Sequence, residues 1–483
     1  MHANGFDLNA AARQEMIAQG FNPDFPPDAA QQLASLQRTG PPPCGDGIRD
    51  LRSMLWSSID NDSSRDLDQV EVAERVPGGI RVLIGVADVD CDVPNGSPID
   101  RYAAEETTSV YSGVRTFPML PEQLSTDLTS LNENQDRVAI VIEFVVSPDG
   151  AVSNDSVYRA LLRNQAQLTY NGVGPWLEGT ASAPAKVAQS PALEAQLRLQ
   201  DEAAGDLLEE RQRMGALIMD RVEAEAVVTD GKVEGLRARG KNRASELIEN
   251  FMVAANGVMA RAQTRANIAS IRRVVRKPER WNRIVELAQR SGDTLPPEPD
   301  PVALNAFLKR RQQADPAHYA DISLAVVKLL GPGEYVTVHP GETSPGHFAL
   351  ASSDYAHSTA PNRRFADLVT QRLMKAVLAH TPCPYTNEEL DAIARNCTLK
   401  EDAARKVERV MQKRIAAVAL APRIGEMFDA VVTGVTPKGV FVRVVNPPAE
   451  GILIHGEDVD VGDQLRVKLV STDPNRGYLD FMR

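Results

Sequence analysis

The chain lacks several features that would assign it to a membrane or secreted class. No uninterrupted apolar run approaches the roughly 18 residues of a transmembrane helix. The first residues, MHANGFDLNAAARQEM, contain neither a basic nor an apolar targeting region. The four cysteines form no CxxC pair, which fits incidental thiols in a reducing compartment. We therefore expect no membrane partner and a cytoplasmic location.

A basic net charge is also missing. The net charge of −12 over 483 residues, taken alone, argues against a nucleic-acid partner. However, residues 231–290 contain 14 Lys/Arg against 5 Asp/Glu, so the charge is unevenly distributed. Two interpretations of this basic run stay open: a solvated helical face, or a surface that binds phosphate groups.

The hydrophobic pattern predicts a multidomain α/β chain with three parts. Residues 1–45 form a short helical segment, which could be a small helix-turn-helix-like unit, and a break follows at TGPPPCGDG. Residues 46–420 mix β-branched runs with helical stretches, including predicted helices over 185–228 and 243–270. Residues 424–483 contain five short strands separated by turns, which is typical of a small OB-type barrel.

An unusual density of acidic residues lies at 57–72, in SSIDNDSSRDLDQVEV. Like charges this close repel each other, so they raise the pKa of some members or require a cation. An EF-hand loop would need glycine where Arg65 stands, and a β-hairpin rather than a helix follows, so calcium is disfavoured. A site for Mg²⁺ or Mn²⁺ and a simple polar turn stay as alternatives. The carboxylates are Asp60, Asp62, Asp66, Asp68 and Glu71.

Several motifs in order resemble one family. IDNDSSRDLD resembles the catalytic signature of the ribonuclease II and ribonuclease R (RNB) family. FPMLPEQLSTDLTSL, NRASELIENFMVAAN and SPGHFALASSDYAHSTAPNRRFADLVTQR resemble its later elements, and IGEMFDAVVTGVTPKGVFV resembles an S1-type OB domain. The resemblance covers roughly residues 20–483. It implies an RNB catalytic domain over 46–420 and an S1-type domain over 424–483.

The resemblance also implies an activity and a set of site residues. The activity is a processive, Mg²⁺- or Mn²⁺-dependent 3′→5′ hydrolysis of single-stranded RNA with a free 3′ end, which releases nucleoside 5′-monophosphates. We expect a monomer. By position, the metal ligands are Asp60, Asp66 and Asp68, and the catalytic residues are Asp68 and Arg363. The implied RNA-binding residues are Tyr111, Arg364, Glu408, Phe441 and His455.

The chain departs from the family pattern in two places. We expect it to lack the cold-shock domains of larger members, because only about 45 residues precede the acidic loop. The usual D-[apolar]-D-D reads Asp66-Leu67-Asp68-Gln69 here, so an amide replaces the fourth carboxylate. Gln69 and Asp62 are then further candidate ligands, and Asp62 could compensate for Gln69. The rival interpretation is an RNA-binding adaptor whose RNB scaffold is impaired by Gln69.

Overall fold

The structure is a computed structural model, and it describes residues 6–39, 47–217, 223–229, 232–437, 439–456 and 458–483. The predicted break at TGPPPCGDG lies largely outside these ranges. The helices are α1 (Leu8–Ala18), α2 (Pro27–Thr39), α3 (Pro98–Glu106), α4 (Tyr170–Leu177), α5 (Ala185–Ala188), α6 (Pro191–Arg213), α7 (Arg243–Arg265), α8 (Trp281–Arg290), α9 (Pro301–Ala314), α10 (Pro316–Leu330), α11 (Phe365–Ala379) and α12 (Asn387–Leu420). The strands are β1 (Arg49–Asp50), β2 (Trp56–Asp60), β3 (Gln69–Val76), β4 (Gly79–Ala87), β5 (Val110–Tyr111), β6 (Thr116–Phe117), β7 (Asp136–Val146), β8 (Val152–Thr169), β9 (Glu223–Thr229), β10 (Lys232–Arg239), β11 (Ser270–Val274), β12 (Glu334–Val338), β13 (Met427–Thr436), β14 (Gly439–Val444), β15 (Ala449–Ile454), β16 (Gln464–Asp473) and β17 (Tyr478–Met482).

Two helices open the described chain, as predicted. The Asp7 carboxylate caps α1 by accepting hydrogen bonds from the backbone N–H groups of Asn9 and Ala10, each at 2.9 Å. Helix α2 begins at Pro27, a position where the missing N–H costs nothing. The apolar side of α1 packs in one cluster with α12 and the β5–β6 hairpin (Leu8, Ala11, Met16, Val110, Phe117, Met411, Ile415). The N-terminal segment therefore supports the hairpin that carries Tyr111.

A six-stranded sheet forms the centre of the larger domain. Its order is β1-β8-β2-β3-β4-β7, and β7 also pairs with β8, so the sheet closes on itself. The β3–β4 turn requires glycine at 79, because a Cβ there would lie 2.0 Å from the backbone oxygen of Val146. Both faces are buried: Val70 and Val72 enter one apolar cluster, while Ala73 enters the other.

Helices cover both faces of this sheet and join it to the barrel. Helices α6 and α7 pack on the Ala73 face. Helix α12 is 34 residues long. It contributes Leu390 to the sheet core and Leu420 to the core of the C-terminal barrel, so it connects the two domains.

The C-terminal strands form a closed five-stranded barrel, as predicted. The strand order is β13-β14-β15-β17-β16, and alternate residues point into a common core that includes Phe428, Val442 and Phe481. None of the helices in the described ranges combines the length and apolar composition that a membrane span requires.

The four cysteines are not all incidental thiols as expected, because Cys91 is disulfide-bonded, whereas Cys383 and Cys397 are free.

Two further expectations need correction. The predicted helix over 185–228 is wrong at its end: α6 stops at Arg213, and residues 223–229 form β9, since the β-branched run AVVT is typical of a strand. The basic run is also partly internal, because Arg272 is buried against Asp354 and Arg273 pairs with Glu401. These two arginines fit a structural role better than a phosphate-binding surface.

Candidate active site

The acidic loop joins β2 to β3 at the edge of the central sheet. Asp60 ends β2 beside Thr169 of β8, and Gln69 begins β3 opposite Val86 of β4. Between them, Leu67 is buried, its N–H donates to Ser130 Oγ at 2.9 Å, and its carbonyl accepts from Leu131 N at 3.0 Å. This anchored leucine fixes the two aspartates on either side of it.

Asp68 is the most enclosed of the three predicted metal ligands, with 4% of its surface exposed. Its Oδ1 accepts a hydrogen bond from Asn362 N at 3.1 Å, and its Oδ2 lies 3.5 Å from Arg363 Nε. Burial raises the pKa of Asp68 to about 7. The positive charge of Arg363 lowers this pKa, and the negative charge of Asp66 raises it, but burial has the largest effect. The structure thus brings together Asp68 and Arg363, which are far apart in the sequence.

Asp66 and Asp60 belong to the same electrostatic group. Burial raises the pKa of Asp66, and the charge of Asp60 raises it further. Asp60 is half-buried, and its Oδ1 accepts a hydrogen bond from Asn61 N at 2.7 Å. The predicted repulsion between these carboxylates is therefore present.

These residues fit a hard divalent cation. Their donors are carboxylate oxygens, and their raised pKa values show that the negative charges lack sufficient compensation. Among the described residues, no group of three or more His, Cys, Asp or Glu is arranged so that it could hold a metal ion, so the fit rests on the chemistry of the donors and not on a preformed set of ligands. Mg²⁺ suits such an open site, because it is usually bound by one or two carboxylates together with water and substrate phosphate.

Arg363 lies on a loop that several backbone contacts hold. Ser109 N donates to its carbonyl at 3.0 Å, and Ala360 N donates to Asp367 Oδ1 at 2.9 Å. The Arg363 side chain is 41% exposed, whereas that of Asp68 is 5% exposed. Arg363 therefore stands at the open side of the site, where a substrate could reach it.

Arg364 has a different environment from its neighbour. Its Nε and a terminal nitrogen donate to the two carboxylate oxygens of Asp367, at 2.8 and 2.6 Å, and the Asp367 side chain is fully buried. This ion pair holds the start of α11. The RNA contact implied for Arg364 stays a prediction.

Tyr111 lies on the short β5–β6 hairpin and is 43% exposed, so the alternative that it is a core tyrosine is wrong. The pKa of its phenol is raised mainly by desolvation, and the charges of Arg363, Asp66 and Asp68 also act on it. The hydroxyl therefore lies near the carboxylates, while much of the side chain stays accessible.

Asp62 is placed less favourably than the other acidic residues. It is exposed, and Asn171 Nδ2 at the start of α4 donates a hydrogen bond to its Oδ2. As a metal ligand it stays a prediction without a supporting contact among the described residues. Gln69 is half-buried at the first position of β3, next to Asp68.

The remaining predicted residues lie on helix α12 and on the C-terminal barrel. Glu408 is half-buried on α12, next to Val407, which packs beneath the Tyr111 hairpin. On the barrel, Phe441 of β14 is half-buried, and His455 is exposed just after β15 with a φ of 57°. Their contacts with RNA stay predictions.

Sequence reasoning assigned no role to Glu71. It is completely buried on β3, and burial raises its pKa well above the usual value, with a further contribution from Asp60. The available signal was a carboxylate between Val70 and Val72 inside a strand, where an apolar residue is normally expected.

The architecture defines an α/β domain with a carboxylate–arginine site, joined by a long helix to an OB-type barrel. A family model described as "RNB domain" matches residues 48–380, and one described as "RNase II-type exonuclease C-terminal S1 domain" matches residues 426–483. The chain belongs to the RNB family.

Individual relatives agree with this assignment. Ribonuclease R 1 of Lactococcus lactis subsp. lactis (strain IL1403) is 28% identical over 495 residues, which cover 95% of this chain and 59% of that protein. The chain spans about three fifths of the length of the curated relatives it matches.

Two solved structures share the fold. One is Mycoplasma genitalium RNase R in complex with ribose-methylated single-stranded RNA, which aligns with a TM-score of 0.86 at 23% identity. The alignment covers 99% of this chain and 78% of the RNase R chain. Yeast Ssd1, a pseudonuclease, aligns with a TM-score of 0.71 at 17% identity. The alignment covers 97% of this chain and 57% of the Ssd1 chain. At these identities the likeness concerns the fold alone.

Proposed function

We propose that this chain is a hydrolytic exoribonuclease. It degrades single-stranded RNA processively from a free 3′ end, in the 3′→5′ direction, and releases nucleoside 5′-monophosphates. The observation that carries the proposal is the approach of Arg363 Nε to within 3.5 Å of Asp68 Oδ2, beside Asp66 and Asp60. Membership of the RNB family and the relatives named ribonuclease R support it.

A divalent cation, Mg²⁺ or Mn²⁺, fits the acidic side of this site. Asp60, Asp66 and Asp68 would hold it, with the carbonyl oxygen of Gln69 as a neutral ligand. Such an ion stabilises charge on phosphate oxygens and supplies a nucleophile at neutral pH. The protein's own contribution is a rigid set of oxygens, since β2, β3 and the anchored Leu67 fix the loop.

Arg363 is suited to orient the scissile phosphate. Its guanidinium presents a planar set of donors that matches phosphate oxygens, and the Asp68 carboxylate beside Nε limits its rotation. Positive charge held at this point also stabilises the negative charge that develops during phosphodiester cleavage.

The RNA chain would be held by stacking and by the barrel. The accessible Tyr111 ring would stack on the 3′-terminal base, a contact that tolerates every base. Phe441 and His455 would offer a second platform on the S1-type domain. Tolerance of sequence is what a degradative enzyme needs.

A second candidate function is an RNA-binding adaptor without hydrolysis. The observation that favours it is Gln69, which cannot supply the charge of the usual fourth aspartate. The fold is also shared with yeast Ssd1, a pseudonuclease.

One experiment separates the two candidates. A 5′-labelled linear RNA and a circular RNA of the same sequence are incubated with the protein in Mg²⁺ or in EDTA. The proposal predicts that the linear RNA shortens to a small remnant with release of mononucleotides, only with Mg²⁺, while the circle survives. Asp68→Asn is the matched control, which should bind the linear RNA near normally and cut neither substrate. Binding without any Mg²⁺-dependent shortening by the unmodified protein would favour the adaptor.

We further propose that the protein works as a monomer in the cytoplasm. Size-exclusion chromatography with light scattering tests the first part, and a mass near 52.6 kDa is expected.

A further inference from the structure

Glu71 is a buried carboxyl group without compensation. None of its surface is exposed, and among the described residues neither carboxylate oxygen has a hydrogen-bond partner. The hydroxyl of Ser57, directly across the β2–β3 pair, is also buried without a partner, as is the amide oxygen of Gln200 on α6. Buried polar groups are normally hydrogen-bonded, so several unsatisfied oxygens in one place point to a missing positive charge or donor.

The strand geometry relates Glu71 to the candidate metal site. Side chains alternate along a strand, so Gln69 and Glu71 share one face of β3, roughly 7 Å apart along it. Gln69 stands at the end of the strand, next to Asp68, and Glu71 lies one step deeper towards α6. Across the sheet, Glu71 pairs with Ser57, which precedes Asp60 on β2.

The two unusual features of this strand are complementary. The family's fourth carboxylate is replaced by the neutral Gln69, and an extra buried carboxylate occurs two residues later on the same face. Asp62, the other acidic residue that could compensate, is exposed and bonded to Asn171.

We propose that Glu71 is an additional carboxylate of the metal site, set back behind Gln69, whose negative charge compensates for the missing fourth aspartate. This inference rests on the proposed metal-dependent function. Glu71 is a positioning residue: it acts through the bound cation and does not touch RNA. Conversely, the cation supplies the positive charge that the buried carboxylate otherwise lacks.

The test is a double-mutant cycle on metal affinity. Mn²⁺ binding is measured by electron paramagnetic resonance, and Mg²⁺ binding by competition, for the full chain and for Glu71→Gln, Gln69→Asp and the double variant. Glu71→Gln should weaken metal binding by about tenfold. This is the smaller end of the effects usually seen for residues that hold or orient metal ligands without binding the metal themselves. Gln69→Asp in the Glu71→Gln background should restore most of the loss.

Two controls separate a metal effect from a folding effect. Glu71→Met keeps the volume and removes the unsatisfied oxygens, so it should raise the melting temperature in EDTA and still bind metal weakly. Glu74→Gln, at a carboxylate farther along β3 that pairs with Arg81, should bind metal as the unmodified protein does. If Glu71→Gln and Glu71→Met both leave metal affinity unchanged, the inference is overturned.

Failure of the proposed function would look different. In that case Asp60→Asn and Asp68→Asn would also leave metal affinity unchanged. Loss of affinity in those two variants together with no loss at Glu71 would overturn only the inference.

Discussion

Replacing Asp68 by Asn should have opposite effects on activity and on stability. Asp68 is buried, and its pKa is raised to about 7 because desolvation outweighs the attraction of Arg363. In the metal-free protein, its ionised form is therefore costly. Asn keeps the shape and can still accept the hydrogen bond from Asn362 N, but it carries no charge.

The magnitude follows from linkage. A rise in pKa from 3.8 to about 7 corresponds to roughly 4 kcal/mol in favour of the protonated form. Between these pH values the unfolded chain has released this proton and the folded protein retains it, so stability falls as pH rises. The penalty is absent below about pH 4 and complete above about pH 7. The Asn side chain of Asp68→Asn cannot ionise, so the variant lacks this penalty. Its free energy of unfolding should exceed that of the unmodified protein by roughly 4 kcal/mol at pH 8 and nearly equal it at pH 4.

The assay is denaturant unfolding of both proteins in EDTA, at pH 4 and pH 8, followed by far-UV circular dichroism. Asp62→Asn is the matched control, because Asp62 is exposed on the same loop, and it should show no such pH-dependent gain. Added Mg²⁺ should reduce the difference at pH 8 by stabilising the unmodified protein. A stability difference that is the same at both pH values, or a less stable variant at pH 8, would refute the reasoning.

Three further predictions concern the residues proposed to contact RNA. Arg363→Lys keeps the charge but loses the planar donors, so kcat should fall by roughly 10–100-fold with little change in KM. A rise in KM with kcat unchanged would mean that Arg363 only binds. Tyr111→Ala should weaken binding of the 3′-terminal base by about 1–3 kcal/mol and lengthen the final undegraded RNA fragment on a sequencing gel. A fragment of unchanged length would exclude stacking on Tyr111. Phe441→Ala combined with His455→Ala should raise KM for long RNA and leave the rate on a short oligonucleotide unchanged; equal effects on both substrates would remove the barrel face from the binding path.

Much of the fold could be predicted because its signals are local. The β3–β4 hairpin follows from two β-branched runs around Pro77-Gly78-Gly79, and the five-stranded barrel from short strands between turn residues. The end of α6 could not be predicted, because the amino-acid composition of the stretch between α6 and β9 is still typical of a helix. The burial of individual arginines in the basic run could not be predicted either. It depends on carboxylates that lie far along the chain, such as Asp354 and Glu401.

The site was predictable only in part for the same reason. The residue types and spacing of the acidic loop indicate a cation, but its contact with Arg363 joins segments almost 300 residues apart. Only the order of the family motifs linked them. The engagement of Asp62 by Asn171 depends on how α4 packs against the sheet, and no local pattern encodes that. The burial of Glu71 depends in the same way on α6, although its position between two valines of a strand is a local signal.

Because the acidic loop is buried, we expect binding of the proposed cation to be coupled to folding in this chain. Leu67 enters the sheet core, and its backbone is bonded to Ser130 and Leu131, so Asp68 cannot move out to solvent without breaking that anchor. A mobile acidic loop would relieve its repulsion by spreading, and it would then hold a cation loosely. Here the anchor keeps the carboxylates buried. Burial is the main reason that the pKa values of Asp66 and Asp68 are raised, and repulsion from neighbouring carboxylates raises them further. The proposed dication would remove that unfavourable energy when it binds, so the energy spent on assembling the site during folding would increase the affinity for the metal.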